Sequence, residues 1–330
     1  MKELIKYLKK IKGKDVLVIS HESPDGDAIG SIIGFSYLLK DLGARPIPVN
    51  NDGVPDKYAF LEADFKIKKI ADFSLEEKKK EYYVFILDSA KLDRIGFDPG
   101  TEFPELIEMI NIDHHISNSF FAEHNFVYPE KGATSEIIGD LYLDIMKFIP
   151  KEAATAIYTG VMTDTGNLTY ESTTSGTVAL VSILIAMEAD INKVRQEVYE
   201  KNTIGRIAGL KAVLNNLQLK AEGLIAYTYL PYEIIDQYEL KSGDIENYVD
   251  YPRSVDKSEI AILFKEFSKD EIRVSVRTKS YIDANKLADV FKGGGHKRAS
   301  GFRVRRSLNE AMEYVLARVE EGLKKDEWIN

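Results

Sequence analysis

Three short apolar runs early in the chain each end in side chains that carry charge or imidazole. Residues 16–20 lead into His21-Glu22-Ser23-Pro24-Asp25-Gly26-Asp27, residues 82–87 into Asp88, and residues 110–113 into Asp113-His114-His115. Runs this short and this apolar read as strands buried on both faces, which is how strands of a parallel sheet look in sequence. In open sheets of that kind ligands collect beyond the carboxyl ends of the strands, where these residues would sit.

The stretches between the runs have helical spacing. Residues 27–42 end at Gly43, residues 134–148 end before Pro150, and residues 153–162 and 174–187 follow. Strands alternating with helices predict a mostly parallel sheet covered on both faces. Residues 192–219 are helical and polar, with Gly205 and Gly209 inside. Beyond them residues 224–230, 260–267 and 272–277 read as strands, the last two as a hairpin around Lys269-Asp270. Residues 285–291 form a short helix and 308–323 a longer one. The expected fold is α/β with two domains. Residues 1–190 carry the mostly parallel sheet, 191–219 form a helical connector, and 220–330 form a smaller mixed-sheet α/β domain, with the active-site cleft between the two.

The 330 residues include no cysteine, which excludes disulfides, thiolate metal sites and cysteine nucleophiles and suits a reducing compartment. Residues 1–12 are lysine-rich and lack the apolar core of a signal peptide, and residues 179–187 are too short an apolar run to span a bilayer. A cytoplasmic protein with no membrane partner is expected. The net charge is −9, yet residues 271–306 hold ten Lys/Arg against three Asp/Glu. An acidic chain binds long nucleic acid poorly. One basic segment can still hold a short anion, or it can simply be a solvated face.

A fourth acidic motif is Thr163-Asp164-Thr165-Gly166. Of five histidines, His21, His114, His115 and His296 lie in short motifs, while His124 stands alone and reads as structural. Imidazole and carboxylate without sulfur favour manganese, magnesium or iron over structural zinc. Asp25, Asp27, Asp88 and Asp164 bring four negative charges, which two divalent cations would neutralise. Without metal they would repel one another and raise some of their pKa values.

In this order the motifs resemble those of the DHH phosphoesterase superfamily. It includes RecJ-type exonucleases, family II pyrophosphatases, nanoRNases that also act on adenosine 3′,5′-bisphosphate, and phosphodiesterases of cyclic dinucleotides and their linear products. Gly293-Gly294-Gly295-His296, followed by Lys297-Arg298-Ala299-Ser300-Gly301, resembles the DHH-associated substrate-binding domain, whose glycines let backbone N–H groups approach a phosphate. Taken alone, a flexible turn explains it. Two departures stand out. Ser300 replaces an alanine usual in that motif, and Asn167-Leu168-Thr169-Tyr170 replaces an aromatic–basic pair after Asp164.

The resemblance implies that His21, Asp25 and Asp88 hold one cation and Asp27, Asp88, His114 and Asp164 a second, with Asp88 bridging. Mn2+ is the expected ion, with Mg2+ or Fe2+ as alternatives. A metal-bound hydroxide would attack phosphorus in line. His115 would bond the phosphoryl oxygen or protonate the leaving group, and Asp113 would orient it. Arg94 is a phosphate ligand or a surface ion-pair partner. Arg277, Gly293, Gly294, Gly295, His296 and Arg298 would bind substrate. Tyr281, Phe291 and Phe302 would stack a base or fill the core. The implied function is a manganese-dependent phosphodiesterase cleaving short nucleotides to mononucleotides, chiefly 5′-phosphorylated linear dinucleotides such as pApA. Cyclic di-AMP and short oligoribonucleotides are further candidate substrates. The alternatives are a 3′-phosphatase acting on pAp or an inorganic pyrophosphatase. A non-catalytic nucleotide sensor is disfavoured, because no ligand is missing. The expected partners are short nucleotides, with a homodimer compatible with the sequence.

Overall fold

The computed structural model describes residues 1–269, 271–295 and 297–329, so the hairpin residue Asp270 and the substrate candidate His296 lie outside the described residues. The chain divides into two units, Met1–Lys201 and Asn202–Asn330.

In the first unit, β1 (Asp15–Ile19), β2 (Arg45–Asn50), β3 (Lys68–Lys69), β4 (Tyr82–Leu87), β5 (Leu106–Asp113) and β6 (His124–Val127) form one sheet. Its order is β3-β2-β1-β4-β5-β6, and every neighbouring pair is parallel. Side chains alternate between its faces. Val16, Val18, Phe85, Leu87, Ile110 and Ile112 join one core with the long helices, while Leu17, Ile19, Val84 and Ile86 join a second with Phe73, Ile95 and Phe103. Both faces are therefore dry, which is why these strands read as unbroken apolar runs. The register aligns Ile19 with Ile86 and Leu87 with Ile112, so the residues after β1, β4 and β5 leave the same edge.

Helix Gly26–Asp41 follows β1 and buries fourteen of its sixteen residues, so it has no solvent face and lies inside the unit. Small residues permit this. A Cβ on Gly30 would lie 2.5 Å from the carbonyl oxygen of Ala156 and 2.9 Å from the nitrogen of Gly160, both on helix Lys151–Asp164. The two helices thus cross backbone to backbone, which brings Asp27 at the start of one near the end of the other.

The second unit holds β7 (Gln218–Lys220), β8 (Ile225–Leu230), β9 (Ile260–Ser268), β10 (Glu271–Thr278), β11 (Gly294–Gly295) and β12 (Ala299–Val304), in the order β11-β12-β10-β9-β8-β7. Among the described residues only the β8–β9 pair of this sheet is parallel, and β9–β10 is the expected hairpin. On β10, Ile272, Val274 and Val276 face helices Ala284–Asp289 and Leu308–Lys324. Strand alternation puts Arg273, Ser275 and Arg277 on the other face. The stretch 191–219 is divided: Ile191–Val194 and the π-helical turn Arg195–Tyr199 belong to the first unit, and helix Ile204–Asn215 belongs to the second. Among the described residues no helix is long and apolar enough to cross a membrane.

Candidate metal centre

The strand ends of the first sheet gather around Asp88, which sits directly after β4 in a left-handed conformation (φ 54°) and is almost fully buried. A non-glycine residue held at positive φ carries strain of order 1 kcal/mol or more, tolerated where the surroundings fix it. Asp88 Oδ2 is 3.6 Å from Nε2 of His21, and Oδ1 is 3.6 Å from Nε2 of His114. His21 Nε2 is also 3.9 Å from Asp25 Oδ1, and His114 Nε2 is 3.3 Å from Asp164 Oδ2. Three groups result, His21–Asp25–Asp88, Asp27–His114–Asp164 and Asp88–His114–His115, each with donor atoms close enough to share one ion.

The supports are local. Nδ1 of His21 bonds the Glu22 carbonyl at 2.8 Å and Nδ1 of His114 the Lys131 carbonyl at 3.2 Å, so each ring turns Nε2 inward. Asn50, at the end of β2, donates to the carbonyl of His21 at 2.8 Å. Asp25 caps helix Gly26–Asp41 by accepting from the N–H groups of Asp27 and Ala28, both at 3.0 Å. Asp27 accepts from the N–H groups of Thr134 (2.6 Å) and Ser135 (2.8 Å), the first residues of helix Thr134–Met146. A helix N-terminus favours a carboxylate there. The Thr134 hydroxyl donates to Asp88 Oδ1 at 3.2 Å.

His115 is built differently. Its Nδ1 donates to Asp113 Oδ1 at 2.7 Å, and the other oxygen of fully buried Asp113 accepts from Asn118 at 2.7 Å. Asn118 in turn donates to Asn111 on β5. Nδ1 of His115 also lies 3.8 Å from Asp88 Oδ1, so the bond to Asp113 holds the ring at the edge of the cluster.

The crowded charges of the cluster shift one another's protonation. Burial, with the neighbouring charge of Asp88, pushes Asp27 up to about 7. Burial and the charges of Asp27 and Asp88 hold Asp164 well above the ordinary carboxylate range. Burial opposes protonation of His21, but its hydrogen bond to Asp88 and the charges of Asp25 and Asp88 outweigh this and push it up to about 9. Burial also opposes ionisation of Asp88, yet His21, His115 and His114 hold it well below its ordinary value. Carboxylates crowded to the point of retaining protons, beside imidazoles with oriented Nε2 atoms, form a donor set that fits divalent cations.

The remaining candidates are more scattered. Arg94 is exposed, and its carbonyl accepts the N–H of Glu22 at 2.7 Å, which places it beside the His21 loop. In the second unit Arg277 is paired in register with Ala299, and its Nη1 donates to the Val276 carbonyl at 3.1 Å. Gly294 and Gly295 form an edge strand opposite Gly301 and Ser300, next to Gly293, rather than an open loop. Arg298 donates to the Ile282 carbonyl at 2.8 Å. Phe291 and Phe302 stack on each other at 4.4 Å in the core, which leaves neither for a base, while Tyr281 is exposed. His124 lies on β6 with its ring 5.1 Å from that of Tyr7. The sequence reading missed Thr134, Ser135, Asn50, Asn111, Asn118 and the Lys131 carbonyl. Backbone groups and neutral amides leave no pattern that spacing can reveal.

Residues 15–161 match the DHH family, N-terminal domain, and residues 223–325 match the DHHA1 domain. The bifunctional oligoribonuclease and PAP phosphatase NrnA of Thermus thermophilus is 28% identical over 98% of this chain and 95% of its own. The Bacillus subtilis protein of the same name is 26% identical over 94% and 96%. An exopolyphosphatase-related protein from Bacteroides fragilis superposes with a TM-score of 0.84 at 28% identity, covering 98% of this chain and 96% of that one. This chain therefore carries a DHH family N-terminal domain, whose motif residues gather at the strand ends of the first sheet, followed by a DHHA1 domain.

Proposed function

We propose that this chain is a metal-dependent phosphodiesterase that hydrolyses short nucleotides to mononucleotides, with residues 1–190 doing the chemistry and residues 220–330 holding the substrate. The observation that carries this reading is that His21 and His114 face opposite oxygens of Asp88, the first grouped with Asp25 and the second with Asp27 and Asp164. Full-length similarity to proteins named as oligoribonucleases and PAP phosphatases points to nucleotides rather than pyrophosphate.

His21, Asp25 and Asp88 would hold one divalent cation and Asp27, Asp88, His114 and Asp164 a second, Mn2+ being the expected ion. Once bound, the pair would supply an activated water and neutralise charge on the phosphoryl oxygens. The protein's own groups do the rest. His115, with Nδ1–H fixed on Asp113, can donate from Nε2 to a phosphoryl oxygen or to the departing ribose oxygen. Thr134 and Ser135 hold Asp27 in place through backbone N–H groups. Arg94, at the lip of the His21 loop, would offset charge on the substrate phosphate. Arg277, with the Gly293–Gly295 backbone, His296 and Arg298, would grip a terminal phosphate, for which the planar guanidinium is suited.

The preferred substrate in this reading is a 5′-phosphorylated linear dinucleotide such as pApA. Removal of the 3′-phosphate of pAp is the second reading, since both activities stand in the relatives' names. The test is a panel of pApA, cyclic di-AMP, pAp and pyrophosphate with added Mn2+, Mg2+ or Fe2+. Fastest turnover of pApA supports the proposal. Turnover of pyrophosphate alone overturns it.

A further inference from the structure

One buried carboxylate outside the cluster reaches the supports of several of its members. Glu136 lies in the first turn of helix Thr134–Met146 and is fully buried. One of its oxygens accepts from Lys131 Nζ at 3.0 Å. The other accepts from the Gly132 N–H at 3.0 Å and from the Thr177 hydroxyl at 2.8 Å.

Two of these donors belong to segments that hold a ligand, and the third follows the loop that leaves Asp164. The Lys131 carbonyl receives Nδ1 of His114. Gly132 opens the turn into Thr134 and Ser135, whose N–H groups hold Asp27. Thr177 stands in the first turn of helix Ser175–Ala186, which closes the loop leaving Asp164. That loop passes so near that a Cβ on Gly132 would lie 2.9 Å from the Ser172 carbonyl oxygen. His21 and Asp25 depend on other groups, namely Asn50, the Glu22 carbonyl and the start of helix Gly26–Asp41.

We infer that Glu136 is the positioning residue for the ion site of Asp27, His114 and Asp164, and not for the ion site of His21, Asp25 and Asp88. Its carboxylate fixes the spacing between the Lys131 carbonyl, the N-terminus of helix Thr134–Met146 and the loop after Asp164. Those three supports set where His114, Asp27 and Asp164 point. Groups behind metal ligands typically govern affinity by about 10–100-fold. The assignment rests on the two-cation reading above.

The test is Mn2+ titration of the metal-free full chain, with stoichiometry and both affinities measured for wild type, Glu136→Ala, Glu136→Gln and Leu180→Ala. Leu180 is a buried core residue one turn beyond Thr177 on helix Ser175–Ala186 and serves as a destabilising control that leaves the hydrogen bonds of Glu136 in place. In Glu136→Ala one ion should bind as in wild type and the other about 10–100-fold more weakly. Its kcat on a dinucleotide should fall at sub-saturating Mn2+ and recover as Mn2+ is raised, with KM unchanged. Glu136→Gln keeps one acceptor oxygen and should lie between, and it supplies the same measurement if the alanine variant does not fold. Leu180→Ala should melt earlier yet bind both ions normally. Two wild-type affinities in both Glu136 variants, or equal weakening of both ions, overturns the assignment alone. A wild-type chain that takes up fewer than two ions overturns the two-cation reading, and the assignment falls with it.

Discussion

Asp113 accepts the Nδ1 proton of His115 at 2.7 Å from a position with no solvent exposure. This fixes both the ring's orientation and its tautomer. Asp113→Asn keeps the shape but presents an amide, which can favour the opposite tautomer. The variant should fold, bind metal normally and lose about 10²–10⁴-fold in kcat, the usual worth of a positioned acid–base group. Wild-type kcat in Asp113→Asn would show that His115 needs no fixed tautomer.

Asp88 offers one oxygen to each half of the cluster, so Asp88→Ala should abolish turnover and weaken both ions. Asp25→Ala should mainly empty one site. Metal content of the purified variants decides this, and two fully retained ions in Asp88→Ala would refute the bridge.

The metal-free protein should lose stability as pH rises. His21 is raised from 6.5 to about 9 in the folded state, so its stabilising contribution is full below pH 6.5 and lost as pH rises through 9. Asp27, raised from 3.8 to about 7, keeps a proton that the unfolded chain has already released, and the benefit is lost as pH rises through 7. Each retained proton contributes a slope of about 1.4 kcal/mol per pH unit. Tm of the chelator-treated chain should therefore fall between pH 6 and 9. Added Mn2+ should flatten the curve, since the ion replaces the protons. A Tm that rises over that interval without metal would contradict the charge arrangement.

The backbone crossing of helices Gly26–Asp41 and Lys151–Asp164 has its own test. A Cβ on Gly160 would overlap the Ser135 hydroxyl and lie 2.8 Å from Asp27 Oδ1. Gly160→Ala should cost about 1–3 kcal/mol through overpacking and should also weaken metal binding, because the displaced groups hold Asp27. Adding Ser135→Ala should recover part of the loss in thermal melts, so strict additivity of the two changes would show that they do not meet.

Much of the fold was legible because β1, β4 and β5 are dry on both faces, so hydrophobicity alone marked them and their last residues marked the site. β2 was not legible: Pro46 and Pro48 argue against a strand, yet the segment pairs in parallel with β1. β6 has only four residues and opens on His124 and Asn125, so it is too short and polar to register. β12 was hidden inside a glycine–serine motif that reads as a turn. The acidic and imidazole members of the site could be named from type and order, but its supports could not. What holds His114 is a carbonyl, and a carbonyl looks alike at every residue.

If Arg277 holds a terminal phosphate, removing the 5′-phosphate from a dinucleotide and removing the guanidinium delete the same interaction. Each should cost about 2–3 kcal/mol in kcat/KM, the range for a lost charge-assisted bond. Together they should cost little more than either alone. Four measurements suffice, with wild type and Arg277→Ala each assayed on 5′-phosphorylated and 5′-hydroxyl substrates. Full additivity would assign Arg277 another task.

Asp27 is held by N–H groups 107 and 108 residues further along the chain. During synthesis the first motif leaves the ribosome long before its anchor exists, and Asp164 follows later still. The Asp27 half of the centre cannot nucleate the fold, because it comes into being only as the last helices of the first unit close over the sheet. Pairing this distant is slow to form. An ion captured there acts as a latch on a finished unit, so incomplete nascent chains should not take up the second Mn2+ until residues beyond 164 have emerged.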